Sequence, residues 1–323
     1  MFIGSCVGTF FALDRKTGKL RWSYDIKRDG DQTSFHGNPM VLADQIITGT
    51  DGSGIGHVYS FDVATGEVRW KYPITKGVPN GIGLPSDLVR LGDTVFGVTL
   101  GDELISLDAK RGTVNWTFAS GFDGKVFRWS QSPAAAADRV FFGGINGTVY
   151  NLDARSGKVI WKRDLGARVS TNLAITGNDL LVGTADGSIR RLDSKTGEIT
   201  AEMKLGTTPV GWPTVTGDSI LLFLNQGGGA GAAQSLLSVD RALKKIQWRQ
   251  QVSSGWSVTR PFLWRSTVLA GSEEGEVKAF RVSDGVEQWA IKLKATIRSF
   301  GGDDKVLYIG TLAGTVTAYE PGK

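Results

Sequence analysis

The chain has 323 residues and a mass of 34.7 kDa, with 37 Lys and Arg against 32 Asp and Glu and a formal net charge of +5. Its 41% hydrophobic and 21% charged residues are typical of a globular protein and exclude a disordered chain. No apolar run approaches the ~20 residues of a membrane-spanning helix, so no membrane span is predicted. The single Cys and the two His exclude a disulfide framework and argue against a Cys-cluster or His-rich metal site.

The first predicted elements are short strands. Residues 2–6 align with residues 141–145, so we expect the chain to begin within the second strand of its first repeat, with Cys6 inside that strand. No signal peptide is recognised after Met1. Ile3-Gly4-Ser5-Cys6 resembles a lipoprotein cleavage box, but no apolar segment precedes it, and the repeat alignment accounts for the same residues.

An Asp, a Gly four residues later and a Trp eight residues later form a motif that recurs along the chain. It is complete from Asp14 to Trp22 and returns at a mean spacing of about 44 residues. The fifth copy has Ala201 in place of Trp, and the sixth has Lys244 in place of Gly. The eight anchor positions are Asp14, Asp62, Asp108, Asp153, Asp193, Asp240, Arg281 and Glu320.

Each repeat is predicted to form four short strands. In the second repeat these are residues 39–43, 45–50, 57–63 and 68–73, separated by turn residues. No segment has a sustained helical period. Four antiparallel strands per repeat predict an all-β, eight-bladed β-propeller, or seven full blades with an irregular closing blade. Residues 1–323 would then form one domain, or a segment of a longer chain.

The spacing of the motif has a structural explanation. The Asp side chain is expected to accept hydrogen bonds from the turn that follows it, and the Gly to take a left-handed conformation there. The Trp ring is expected to pack on the neighbouring repeat. Six residues are assigned this packing role: Trp22, Trp70, Trp116, Trp161, Trp248 and Trp289.

The motif Ala-x-Asp-x-x-x-Gly-x-x-x-Trp, complete at residues 12–22, resembles the tryptophan-docking motif of PQQ-type, quinoprotein dehydrogenase-like propellers. The resemblance covers the whole chain and implies the propeller fold of that family. Catalytic members hold PQQ over Ca²⁺ and commonly use a vicinal Cys pair, which a chain with Cys6 alone does not have. No acidic cluster has calcium-loop spacing. We therefore predict no cofactor, no metal and no catalytic residue.

Several polar and aromatic residues lie outside the motif, just before or within predicted first strands. The segments that carry them are expected to converge on the axial channel of the propeller. Two interpretations are open: a polar lining of a water-filled channel, or a ligand pocket in which Arg beside Trp binds a carboxylate or phosphate. The predicted ligand-binding residues are His36, Asp87, Arg128, Trp129, Gln131, Trp212, Trp256, Arg260 and Arg298.

Two long connections, residues 51–56 and 226–234, are expected to be loops on one face of the molecule. His36 and His57 are expected to be hydrogen-bonded polar residues rather than catalytic bases. The charge is spread along the chain, so no nucleic-acid partner is predicted.

Three functions compete. The first is a non-catalytic scaffold that presents one face to a protein partner, as the resemblance to non-catalytic members of the family implies. The barrel-assembly propeller lipoprotein of the cell envelope is one such member. The second is a sensor or enzyme that binds a small molecule in the axial channel. The third is a structural domain of a longer protein. The resemblance alone suggests a periplasmic or cell-envelope location.

Overall fold

The computed structural model describes residues 1–30, 32–79, 81–122, 131–225, 234–252 and 260–320. Those residues form β-strands and one short 3₁₀ turn, Ile26–Asp29, and contain no α-helix. The all-β prediction is therefore confirmed. The chain divides into two compact units, Met1–Val169 and Ser170–Lys323, which are described separately. The expectation of a single domain stays a prediction.

The first unit contains four sheets that follow the sequence repeats, called repeat sheets below. The first has three strands and the next three have four, and all neighbours are antiparallel. The strands are β1 Phe2–Gly4, β2 Thr9–Leu13, β3 Leu20–Asp25, β5 Met40–Val41, β6 Gln45–Gly49, β8 Gly56–Asp62, β9 Val68–Ile74, β12 Val89–Leu91, β13 Thr94–Val98, β14 Glu103–Asp108, β15 Val114–Ala119, β16 Ala134–Ala136, β17 Arg139–Gly143, β18 Thr148–Asp153 and β19 Val159–Asp164.

A fifth sheet in the first unit lies outside the repeat pattern and is called the accessory sheet. Its strands are β4 Gln32–Ser34, β7 Asp51–Gly52, β10 Gly77–Val78 and β11 Gly81–Gly83, in the order β10-β11-β7-β4. They come from the connections that leave β3, β6 and β9. Residues 51–56, expected to be a loop, thus begin with a paired strand.

The second unit contains four more repeat sheets, three of four strands and a last one of three. The strands are β20 Ala174–Thr176, β21 Asp179–Thr184, β22 Ser188–Asp193, β23 Ile199–Lys204, β24 Thr208–Thr216, β25 Ser219–Asn225, β26 Gln234–Asp240, β27 Ile246–Val252, β28 Phe262–Trp264, β29 Thr267–Gly271, β30 Glu276–Arg281, β31 Glu287–Lys292, β32 Ile297–Gly302, β33 Leu307–Thr311 and β34 Val316–Tyr319.

The second and third strands of a repeat carry the core. In β13 and β14 most consecutive residues are buried, whereas every second residue of β15 is exposed. Strands with apolar residues on both sides are covered on both faces. Between the second and third repeats, Ile47 and Val58 of one sheet share a buried cluster with Val95, Ile105 and Leu107 of the next. Packing between neighbouring sheets therefore forms the core.

The Trp of a repeat packs on the turn of the following repeat. The Trp22 indole N–H donates to the Val63 carbonyl over 3.1 Å, and a Cβ on Gly66 would lie 2.5 Å from the ring. Gly66 has a φ of 76°, a conformation that glycine adopts without steric cost. The same bond joins Trp70 to Ala109, Trp116 to Ala154 and Trp248 to Val282. The docking prediction is confirmed at these four junctions.

The fifth repeat replaces the missing Trp with an arginine. Arg191 lies opposite Ala201 on the neighbouring strand, and its guanidinium donates to the Arg241 carbonyl over 3.2 Å. That carbonyl belongs to the residue after the anchor position of the sixth repeat, and each carbonyl bound by an indole likewise belongs to the residue after the anchor position of its own repeat. In the same turn Lys244 stands at the sequence position of the glycine, but Leu243 takes the left-handed conformation, with a φ of 57°.

Candidate functional site

Residues two positions before the first strands of consecutive repeats touch each other in the first unit. Asp87 accepts the Asn38 backbone N–H over 2.6 Å and the Asn38 side-chain amide over 2.9 Å. The Asp87 N–H in turn donates to the Ser132 hydroxyl over 2.9 Å. The three residues stand at equivalent positions in consecutive repeats, and these hydrogen bonds engage the Asp87 carboxylate with protein groups.

The second unit has comparable contacts between neighbouring first-strand segments. The Asn172 N–H donates to the Gly211 carbonyl over 2.8 Å, and Thr171 forms a parallel bridge with Gly211. The Thr214 hydroxyl donates to the Pro261 carbonyl over 3.1 Å. Trp212 is half-buried in the part of β24 where the pairing register shifts. The segments just before β20 and β28 therefore both contact β24, at Gly211 and Thr214.

Besides the half-buried Trp212, the predicted ligand-binding residues divide into three groups. Arg260 and Arg298 are exposed in the second unit, and Gln131 is half-buried in the first. Arg128, Trp129 and Trp256 lie outside the described residues. His36 and Asp87 both have partners within the first unit. That these residues form one ligand site stays a prediction.

His36 pairs with a buried carboxylate. Its Nδ1 lies 2.7 Å from Asp51 Oδ1, and the two side chains are 29% and 8% exposed. Burial alone would lower the pKa of His36, but hydrogen bonds with Asp51 and with the Cys6 side chain raise it to about 9. His36 is therefore an imidazolium at neutral pH. Cys6 lies in the turn after β1, so its predicted position inside a strand is wrong.

The accessory sheet lies at one end of the repeat sheets of the first unit, called the connection face. The turns between second and third strands and the connections between sheets lie at that end. Gly83 of β11 accepts the Leu100 N–H over 2.9 Å, and the Leu84 N–H donates to the Thr50 carbonyl over 2.9 Å. Main-chain bonds thus tie loops of the second and third repeats together. The periodicity could not reveal this sheet, because its strands have two or three residues each.

A buried acidic residue on the connection face was also missed from sequence. Asp102 is fully buried and has a φ of 57°. Its Oδ2 accepts the Ser120 hydroxyl and the Ile145 N–H, the latter over 2.9 Å, while its Oδ1 has no hydrogen-bond partner among the described residues. Burial raises the pKa of Asp102 to about 6, although both hydrogen bonds lower it.

Asp102 and Ser120 depart together from the repeat pattern. In four other repeats the residue at the Asp102 position is a left-handed glycine, and the residue whose N–H donates to its carbonyl is apolar. Here the Ser120 N–H donates to the Asp102 carbonyl. The corresponding pairs are Gly8 with Ile26, Gly147 with Leu165, Gly187 with Leu205, and Gly275 with Leu293.

The comparisons with known proteins agree with the geometry. The family model for outer membrane protein assembly factor BamB matches residues 1–120 and 101–323. The chain belongs to this family. A curated BamB from Burkholderia pseudomallei (strain K96243) is 37% identical over 68 residues. That match spans 21% of this chain and 17% of the Burkholderia protein.

Solved structures support the same fold. BamB from Moraxella catarrhalis superposes with a TM-score of 0.77 at 18% identity, over 100% of this chain and 91% of that one. Quinohemoprotein alcohol dehydrogenase from Comamonas testosteroni gives a TM-score of 0.74 at 15% identity, over 96% of this chain and 68% of that one. The PQQ-type propeller family and fold are confirmed. The number of blades stays a prediction.

The opposite end of the first unit of this BamB-family chain carries a cleft of about 640 Å³ between the third and fourth repeats. Its lining includes Asn115, Asp138, Asp153 and Arg155. Among the described residues no three His, Cys, Asp or Glu side chains are placed to hold one metal ion. None of the described segments forms a helix long and apolar enough to cross a bilayer.

Proposed function

We propose that this BamB-family chain is a non-catalytic scaffold that binds a protein partner through the connection face of its first unit. The accessory sheet carries the proposal. It joins connections of the first three repeats into one hydrogen-bonded surface. This surface would be ordered before a partner binds. A preorganised surface loses less conformational entropy on binding than separate loops do.

One edge of the accessory sheet is open among the described residues, because β10 pairs only with β11. At the other edge β4 pairs with β7, and the Phe35 N–H that follows β4 donates to the Ser5 carbonyl. Open edges present unpaired main-chain groups, to which an extended segment of a partner adds as a further strand. Two exposed apolar side chains lie in turns of the same face, Val7 at 66% and Ile55 at 48% exposure. Apolar contacts beside a strand edge would add affinity.

The family description and the curated relative both refer to outer membrane protein assembly. We therefore infer that the partner is another component of that assembly machinery and that the chain works in the cell envelope. The scaffold would hold this partner without changing any covalent bond.

Site-specific photo-crosslinking tests the proposal. A photoreactive amino acid placed at Ile55 on the connection face should crosslink, in cells of the native host, to a component of the outer-membrane assembly machinery. The matched control is Arg111, an exposed side chain in a turn at the opposite end of the first unit. Crosslinking from Arg111 alone, or to the same partner equally from both positions, would contradict the proposal.

A small-molecule ligand near the first strands is a second hypothesis, supported by the exposed guanidinium of Arg260. Arg260 stands two residues before β28, as Asp87 does before β12. Such an arginine would bind a carboxylate or phosphate. A thermal-shift screen of small anions should then give a stabilising ligand whose effect disappears in Arg260→Ala. A screen without such a ligand would remove the hypothesis.

A further inference from the structure

Three connections of the first unit bring a thiol, an imidazole and a carboxylate together on the connection face. Cys6 is exposed in the turn between β1 and β2. His36 lies two residues after β4, and Asp51 is the first residue of β7. None of these residues belongs to the repeat motif or to β10, the edge strand on which the proposed function rests.

The backbone holds His36 beside the turn that carries Cys6. The Phe35 N–H donates to the Ser5 carbonyl over 3.1 Å, and the Ser34 hydroxyl donates to the Cys6 carbonyl over 3.3 Å. The Phe35 ring is buried 5.3 Å from the Phe10 ring. These contacts hold the two residues before His36 against the turn that carries Cys6.

The hydrogen bonds place the three groups in series. Asp51 Oδ1 lies 2.7 Å from His36 Nδ1, and the Asp51 side chain is 8% exposed. The ring also shares a side-chain hydrogen bond with Cys6. A buried carboxylate that orients an imidazole, which in turn faces a nucleophile, is the arrangement of activated nucleophiles.

The charges on the three groups favour a thiolate. Asp51 and Cys6 are the titratable groups that act on His36, and their hydrogen bonds raise its pKa to about 9 in spite of burial. The imidazolium is thus present at neutral pH. A thiol beside a protonated histidine ionises more readily than a free thiol, and the thiolate is the reactive form.

We propose that Cys6 is a thiolation site, in which the thiolate held by His36 reacts with low-molecular-weight disulfides. The Cys6 sulfur attacks one sulfur of the disulfide R–S–S–R, forms a Cys6–S–S–R bond and breaks the original S–S bond. Cys6 is oxidised, and the departing R–S⁻ is reduced. The proton of the His36 imidazolium passes to R–S⁻, so R–SH leaves and His36 becomes neutral.

The test measures the reaction rate of the full chain with 4,4′-dithiodipyridine between pH 5 and pH 9. We expect an ionisation midpoint well below the ~8.5 of an unperturbed thiol. At pH 6 the native chain should react at least about tenfold faster than His36→Gln, whose midpoint should return towards ~8.5. With glutathione disulfide, intact-mass analysis should detect one adduct, which Cys6→Ser lacks.

Two further measurements keep the proposal falsifiable if His36→Gln folds poorly. The thiolate absorbance of the native chain near 240 nm reports the same midpoint without any substitution. Asp51→Asn keeps a hydrogen-bond acceptor at His36 but removes the negative charge, so the midpoint should rise. A native midpoint near ~8.5, or equal rates for the native chain and a folded His36→Gln, would overturn the proposal.

Discussion

Asp102 accepts a hydrogen bond from Ser120 at a place where other repeats pair a glycine with an apolar residue. The hydroxyl compensates for part of the cost of burying the carboxyl group, but Asp102 Oδ1 has no partner among the described residues. A buried polar atom without a partner costs about 1 to 3 kcal/mol. The third repeat therefore carries a polar junction that is less favourable than its neighbours at neutral pH.

The first prediction concerns the pH dependence of this junction. The pKa of Asp102 is raised from 3.8 to about 6, so the folded chain binds more protons than the unfolded chain between these values. The contribution of Asp102 to stability is complete below pH 3.8 and is lost as the pH rises through 6. We expect the native chain to lose about 3 kcal/mol between pH 3.5 and pH 7, relative to Asp102→Gly/Ser120→Leu.

Urea unfolding of the native chain and of the double variant across this pH range measures the difference between their free energies of unfolding. Ser120→Leu alone is the informative control, because it leaves the buried carboxyl group without its hydroxyl donor. This single variant should be the least stable of the three at pH 7. Parallel pH profiles for the native chain and the double variant would mean that Asp102 ionises normally in the folded protein.

The second prediction compares the two kinds of junction between repeats. Trp70→Ala should cost about 3 to 5 kcal/mol, because it removes a large ring packed on the next repeat. Arg191→Ala should cost less, about 1 to 2 kcal/mol, because it removes hydrogen bonds to the Arg241 carbonyl and the Thr200 hydroxyl but little apolar contact. Chemical denaturation compares both with Arg111→Ala, whose side chain is 78% exposed. An Arg191→Ala effect no larger than that of Arg111→Ala would refute the junction role of Arg191.

The third prediction concerns the accessory sheet. Gly83 has a φ of 135°, and a Cβ there would lie 2.2 Å from the Thr50 carbonyl oxygen. Gly83→Ala should therefore displace β11 and cost at least about 2 kcal/mol more than Gly92→Ala. Gly92 is also left-handed, but a Cβ added there would meet no other atom within 4 Å.

Hydrogen exchange separates local from global damage in Gly83→Ala. The Leu84 and Leu100 amides, which bond across the accessory region, should exchange faster. Amides between β13 and β14 should stay protected, because the repeat sheet does not depend on Gly83. Unchanged exchange at Leu84 and Leu100 would show that the accessory sheet tolerates the added methyl group.

The fourth prediction concerns acid titration of an exposed turn. Hydrogen bonds from Arg69, and then from the Thr65 and Ala64 N–H groups, lower the pKa of Asp62 from 3.8 to about 2. Because the pKa of Asp62 is lower in the folded chain than in the unfolded chain, ionised Asp62 stabilises the fold above pH 3.8. This contribution is lost as the pH falls towards 2. Arg69→Gln should raise the pKa of Asp62 part of the way towards 3.8, as NMR titration would measure.

The titration of Asp14 provides the internal control. Its pKa is also lowered, through hydrogen bonds from Thr17 and Lys16 in its own turn, without a contact to Arg69. It should titrate identically in the native chain and in Arg69→Gln. An unchanged Asp62 value in the variant would mean that the turn N–H groups alone cause the shift.

The amino-acid sequence by itself determined the repeat, the all-β class of the fold and the docking motif. Each depends on contacts within one hairpin or turn, or on a periodic position such as Trp22 above Gly66, so a local pattern reveals it. The family resemblance rested on the same residues.

Only the tertiary structure decided which unique side chains meet. Asp102 and Ser120, Arg191 and the Arg241 carbonyl, and His36 with Asp51 come from separate turns or repeats. Each departs from the repeat consensus, so periodicity carries no information about its partner. Contacts between loops depend on how far each connection extends from its sheet and on where the connection returns to the next strand. Those distances follow from the packing of whole sheets and not from any single segment of the chain.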